Sequence, residues 1–261
     1  MSAAAQGRLH EVHGARLYAQ SYGRGAPIVF LHGGLHHFDN TFAQQRDFFA
    51  AFRRVIGIDQ RGHGHSPDTD PPFSYREMAE DTADLIRQLA TGPVDVVGHS
   101  DGGNVALLLA RYHPQLVRRV VVSGANLRAG QPPAELKRRA EMSPQQIAER
   151  LASFRADYIS VAPDGADHWP TFAAKSWQLW LTPVVIEPSE LSAIKAPVLV
   201  IAGDHDLAPL EETLEIYRGL AAGQLLILPA TGHTTFQDRA QVMNAALRTF
   251  LEEAETEKRA P

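Results

Sequence analysis

Ser100 stands in Gly98-His99-Ser100-Asp101-Gly102, directly after the apolar run Val94-Asp95-Val96-Val97 and directly before Gly103-Asn104-Val105-Ala106-Leu107-Leu108. A strand that becomes a helix over so few residues must turn sharply at the serine. Only glycine on either side avoids collision with the neighbouring strand or helix. Such a turn lifts the hydroxyl out of the sheet, and the amide N–H groups that open the helix face a place where negative charge is favoured. A serine hydroxyl is a weak nucleophile near neutral pH, so nucleophilic chemistry at Ser100 needs a base, an acid that orients the base, and donors for an oxyanion.

The chain offers each. Of its twelve histidines, His233 follows a late apolar run in Leu228-Pro229-Ala230-Thr231-Gly232-His233. A neutral imidazole there, with an ordinary pKa of about 6.5, could take the serine proton and return it to the leaving group. After Val198 to Ile201 the turn Gly203-Asp204-His205-Asp206 holds two aspartates that spacing alone does not separate. Two N–H donors are needed for the oxyanion. The Asp101 amide is one. Phe30-Leu31-His32-Gly33-Gly34-Leu35 ends another apolar run in a glycine pair, which makes the Gly34 amide the natural second donor and Leu35 the alternative, with His32 buttressing the loop. Asp59, His63, His65 and Asp68 superficially suggest metal ligands, but no second histidine-rich site completes a ligand set and no metal is expected.

The elements that must position these residues read as a mostly parallel sheet. Pro27 to Leu31, Val55 to Asp59, Val94 to Val97, Val117 to Val122, Val198 to Ile201 and Leu225 to Leu228 are continuous apolar, largely β-branched runs, the signature of strands buried on both faces. Arg8 to Val12 and Ala15 to Ser21, separated by His13-Gly14, read as an antiparallel hairpin at a sheet edge. Ser74-Tyr75-Arg76-Glu77 and Ser143-Pro144-Gln145-Gln146 are capping-box patterns, and Met78, Thr82, Leu85 and Leu89 form one face of the helix after the first. The interval between Val122 and Val198 exceeds what a βα crossover needs. It holds all three tryptophans, Trp169, Trp177 and Trp180, and helix-like stretches at Ala134 to Met142, Gln145 to Phe154 and Phe172 to Leu181. The expected organisation is therefore a core of residues 1–124 and 193–261 with a helical lid, 125–192, inserted before the acid-bearing strand. Trp177 and Trp180 are expected either to form the small core of the lid or to wall an apolar pocket facing the serine. No internal repeat is present.

A chain of 261 residues with 44% hydrophobic content can bury a core without staples. Its net charge of −5, with acidic and basic residues interspersed, argues against nucleic acid or a membrane surface as partner and for a small molecule. No cysteine is present, which excludes a cysteine nucleophile and thiolate metal sites. The start, Met1 to Leu9, lacks a basic segment followed by an apolar core, and no run of about 18 apolar residues occurs. A cytoplasmic protein is the expectation, with the polar tail from Glu252 fraying into solvent. Oligomeric state is not readable.

His32-Gly33-Gly34, Asp59-Gln60-Arg61-Gly62-His63-Gly64-His65-Ser66, Gly98 to Gly102, Gly203 to Asp206 and Gly232-His233 together resemble the α/β-hydrolase superfamily over residues 8–252. The resemblance implies an α/β-hydrolase fold, a mostly parallel sheet flanked by helices. It implies Ser100 as nucleophile, Asp206 rather than Asp204 as acid, His233 as base, and the amides of Gly34 and Asp101 as oxyanion hole, with no cofactor. The Asp59 to Ser66 loop is then structural, with Arg61 pairing locally. Cleavage of small-molecule carboxylic esters through an acyl-enzyme is the expected activity.

Asp101 bears on substrate. Its carboxylate suits the helix N-terminus it occupies, yet a negative charge beside a developing oxyanion opposes catalysis unless something cationic offsets it. A substrate ammonium would. Gly-x-Ser-Asp-Gly-Gly followed by Ser123-Gly124-Ala125-Asn126 resembles the valacyclovir hydrolase group, in which this aspartate holds the α-amino group of an amino-acid ester, although His99 stands where that group has tryptophan. Asp101, His99, Leu35, Trp177 and Trp180 are the expected substrate contacts. Alternative activities are amino-acid ester hydrolysis, lactone hydrolysis, cofactor-free carbon–carbon hydrolysis, perhydrolysis, and ligand reception without turnover. Dehalogenase and epoxide hydrolase chemistry is disfavoured because those relatives carry aspartate in place of Ser100.

Overall fold

A computed structural model describes residues 7–128, 133–183 and 185–257. The first and last residues, on which the expectations of no leader and a fraying tail partly fall, lie outside the described set, as do 129–132 and 184 within the expected lid. Eight strands form one sheet: β1 (Arg8–Val12), β2 (Ala15–Tyr22), β3 (Pro27–Leu31), β4 (Arg54–Asp59), β5 (Val94–His99), β6 (Val117–Ser123), β7 (Val198–Gly203) and β8 (Gly223–Leu228). Their order is β1-β2-β4-β3-β5-β6-β7-β8. The hairpin β1–β2 and the β2–β4 pairing are antiparallel, and all remaining pairings are parallel.

Alternate side chains divide the core between the two faces of the sheet. Ile28, Phe30, Val97 and Val121 pack with Phe38, Phe42 and Phe49 of α1 (Phe38–Phe49), with Phe236 of α9 (Thr235–Asp238), and with Met243 and Leu247 of α10 (Ala240–Glu257). Val29, Leu31, Val96 and Val122 pack on the other side with α2 (Tyr75–Leu89), α3 (Asp101–Tyr112) and Ile216 of α8 (Leu210–Gly219). Burial on both faces holds for the inner strands, whereas Leu225 to Ile227 of β8 are only half-buried because β8 is an edge strand.

Between β6 and β7 the described residues form helices α4 (Pro133–Ala140), α5 (Pro144–Arg150), α6 (Arg155–Val161) and α7 (Trp169–Leu179), joined by short 3-10 turns, and no strand. The Ser143 capping box is complete, with Gln146 N donating to Ser143 Oγ and Ser143 N to Gln146 Oε1. The Ser74 box is only half made: Ser74 caps the Glu77 amide, but the Glu77 carboxylate pairs with Arg61 at 3.1 Å. Arg61 does not pair within its own loop alone. Its guanidinium grips Asp81 of α2 at 2.9 Å, because the loop after β4 lies against that helix.

Candidate active site

The residues singled out by sequence follow the carboxyl ends of parallel strands, where an open α/β sheet binds its ligands. Ser100 follows β5 with φ 52° and ψ −120°, a left-handed conformation that costs an L-residue energy. Close packing enforces it. A Cβ on Gly102 would lie 2.0 Å from the Leu31 carbonyl oxygen, and one on Gly98 would lie 2.2 Å from the Gly102 carbonyl oxygen. Gly103 N and Asn104 N donate to Ser100 O at 2.8 and 3.1 Å, while the amide of Asp101, at the first helical position, has no intrahelical partner.

The loop after β3 brings Gly34 to the same place. His32 braces it through a fixed tautomer: its Nδ1–H donates to Gly33 O at 2.8 Å and its Nε2 accepts from Gln60 N at 2.9 Å. Burial, then the neighbouring His63, pushes the His32 pKa down to about 3, so the ring is neutral. Gly33 O also accepts from His36 N at 3.3 Å, and Leu35 adopts φ 64° at the tip of the turn.

His233, in the loop after β8, bonds through Nδ1 to Asp206 Oδ1 at 2.6 Å. Burial alone would raise the Asp206 carboxyl, but the His233 hydrogen bond and charge, with the amides of Ala208 and Gly203, outweigh it and hold it below the usual carboxylate range. Asp204 goes elsewhere: its Oδ1 accepts from Thr231 N at 3.0 Å and ties the two loops together. His99 lies under His233, ring centroids 4.9 Å apart, and donates from Nε2 to His233 O at 2.8 Å. Burial and the adjacent His233 push His99 down to about 3.

Gly34, Leu35, His99, Ser100, Asp101, Trp180 and His233 line one cavity of about 280 Å³. Ser100 and His233 share this cavity without a hydrogen bond between them. Trp180 is at the cavity and Trp177 is not, which corrects the expectation for Trp177. The Trp177 ring is buried inside the helical segment beside Arg139 and Arg150, and its indole N–H donates to Arg139 O at 3.0 Å. Residues that sequence did not single out also reach the cavity: Tyr75, His36, Phe154, Asn126, Arg139 and Glu212. They come from six separate stretches of the chain, so only the fold assembles them. Leu207, next to Asp206 and 81% exposed, forms an apolar lip at the mouth; a bare leucine directly after the candidate acid is a signal that sequence could have supplied.

The candidate metal cluster is dispersed into structural contacts. His65 bonds Asp59, His63 bonds Arg61 O, and Asp68 bonds His168 and Lys175. Among the described residues no group of three or more potential ligands is placed to hold a metal ion, and no helix is long and apolar enough to cross a membrane.

A strained serine turn between β5 and α3, with a histidine–aspartate pair contributed from beyond β7 and β8, sits at the carboxyl edge of a mostly parallel, helix-flanked sheet, the architecture of α/β hydrolases. The chain belongs to the alpha/beta hydrolase family, whose profile matches residues 28–246. Mouse sn-1-specific diacylglycerol lipase ABHD11 is 29% identical over 86% of this chain and 80% of its own. The 2-hydroxymuconate semialdehyde hydrolase of Pseudomonas sp. (strain CF600) is 27% identical over 93% and 92%. Human serine hydrolase BPHL, of the valacyclovir hydrolase group, is 35% identical over 44% and 41%. The solved structure of Est816, described as an N-acyl homoserine lactone degrading enzyme, superposes with TM-score 0.75 at 28% identity, covering 93% of this chain and 100% of that one.

Proposed function

We propose that this hydrolase cleaves carboxylic esters of small molecules through an acyl-enzyme. Ser100 Oγ attacks the ester carbon as His233 Nε2 takes its proton; Asp206 holds the Nδ1–H and stabilises the imidazolium. The oxyanion is received by the amides of Gly34 and Asp101, preorganised donors of which each is worth on the order of 3 kcal/mol in the barrier. His233 returns the proton to the leaving alkoxide, and water activated by the same imidazole then releases the acid and regenerates Ser100. The observation that carries this reading is the 2.6 Å His233–Asp206 bond in a loop that lines one cavity with the strained Ser100. Residues 125–192 act as the lid over that cavity, contributing Phe154 and Trp180 to its wall.

Turnover of short p-nitrophenyl esters and covalent labelling by a fluorophosphonate test the proposal. Ser100→Ala is expected to lower turnover by at least about a thousandfold and abolish labelling, with the folded state intact. Activity that persists in Ser100→Ala overturns it. One slow turnover with a ligand-dependent melting shift marks a receptor, and product formation only from vinylogous diketones marks a carbon–carbon hydrolase. A preference for α-amino esters has support in the place of Asp101 on the cavity wall.

A further inference from the structure

We infer that Trp180 and Tyr75 are positioning residues that couple closure of the helical segment to the oxyanion site through the Asp101 side chain. The inference rests on the serine hydrolase reading above. Asp101 is 6% exposed, and its amide is the one that receives the oxyanion. Left bare, its carboxylate charge would repel the negative charge developing on the substrate oxygen. Both of its oxygens are instead engaged by neutral donors. Tyr75 OH, from the first turn of α2, donates to Oδ1 at 2.7 Å, and the Trp180 indole N–H, at the end of α7, donates to Oδ2 at 2.9 Å. Charge-assisted bonds of this kind are stronger than neutral ones and fix the carboxylate plane.

The loop bearing the other oxyanion donor packs against the same pair. A Cβ on Gly34 would lie 2.4 Å from Asp101 Oδ2, 2.9 Å from Trp180 Cζ2 and 3.0 Å from Trp180 Nε1. Four segments distant in sequence therefore meet at one carboxylate: the loop after β3, the first turn of α2, the start of α3, and the end of α7. When Trp180 is seated, the carboxylate is held aside and both amides are held in register. When Trp180 withdraws, Oδ2 loses its donor beside the reacting carbonyl, and Gly34 loses the wall that fixes it. Seating of α7 and competence of the oxyanion site are one event.

Trp180→Phe keeps the ring and removes the N–H; Tyr75→Phe does the same for the hydroxyl. For a neutral p-nitrophenyl ester each is expected to lower kcat about tenfold, the loss of one hydrogen bond to a charged group, with KM changed by less than about twofold. Trp180→Phe combined with Asp101→Asn should cost little more than the worse single change, since both break the same contact. Amide hydrogen exchange across 169–179 should accelerate in Trp180→Phe and in Asp101→Asn alike. Unchanged kcat, a loss confined to KM, additive effects, or a loss seen only with α-amino esters would each overturn the coupling, the last in favour of an ammonium subsite. If the wild-type protein neither turns over esters nor reacts with fluorophosphonate, the serine hydrolase reading falls by itself. The Trp180–Asp101 latch is then judged on exchange, and equal protection of 169–179 in Asp101→Asn and wild type removes it.

Discussion

On the sheet side of the cavity Ser100 is held by main chain. The φ of 52° is imposed by Gly98 and Gly102 packed against carbonyl oxygens, and the loops that carry Gly34 and His233 are tied by His32 and His99 to neighbouring backbone. On the cap side the grips are carboxylates reaching across segments. Asp68 of the core takes His168 Nε2 at 2.8 Å and Lys175 Nζ at 2.6 Å. Asp101 takes Trp180, and Glu212 of α8 accepts from the amides of Leu127 and Arg128 at 2.7 and 2.9 Å, where the chain leaves the sheet. The contrast separates two demands. A serine that acts as proposed must be placed to within a fraction of an ångström, which steric exclusion provides. A segment that acts as the proposed lid must be able to let go, and a few hydrogen bonds to charged groups are strong enough to seat it and weak enough to release.

The comparison breaks most visibly at Gly102. Gly102→Ala would drive a Cβ into the Leu31 carbonyl oxygen, so a stability loss of about 3 kcal/mol in denaturant melts and disappearance of the proposed esterase activity in turnover assays are expected. Retained activity would mean that the turn tolerates what its packing forbids.

Acid should act on the sheet side. His32 and His99 are neutral in the fold with pKa near 3, against 6.5 for an unperturbed imidazole. Below 6.5 the unfolded chain takes up protons that the folded chain refuses, so the stability each ring preserves is fully present above 6.5 and falls away as pH drops toward 3. At pH 5 this amounts to about 2 kcal/mol for each ring. His99→Gln, which can still donate to His233 O, should flatten the decline between about pH 6.5 and 5 in urea titrations. An unaltered slope would remove His99 from the account.

The smallest effect should come from the cap. Asp68→Asn weakens the bonds to Lys175 and His168, for a loss of about 1–2 kcal/mol. Faster amide exchange in 168–179 should accompany it, while exchange in β5 and α3 stays as it was. Acceleration in both regions would show that core and cap open together, against the division drawn above.

Much of this was legible from residue order. The six apolar runs are strands, the hairpin lies at the edge, and Ser100 sits on the turn that its flanking glycines announce. Local steric rules and burial periodicity suffice there, because each acts within a few residues. Burial on both faces failed at β8 because an edge is a property of strand order, and strand order is not written in the strand itself. The half-made Ser74 box failed for a similar reason: Arg61, from another segment, competes for Glu77.

By itself the sequence determined the sheet, the serine turn, and a short set of candidates for base, acid and oxyanion donors. The resemblance favoured Asp206 over Asp204, but only the tertiary structure shows the contacts that separate neighbours, and it alone decides between the tryptophans. Asp206 meets His233 while Asp204 meets Thr231, and Trp180 meets Asp101 while Trp177, three residues earlier, turns into the helical segment. Glycines beside a serine restrict φ and ψ wherever they occur, so their meaning survives without a fold. Which of two nearby side chains reaches a partner far away in the chain depends on how loops and helices are angled over the sheet, and that is set by the packing of the whole molecule.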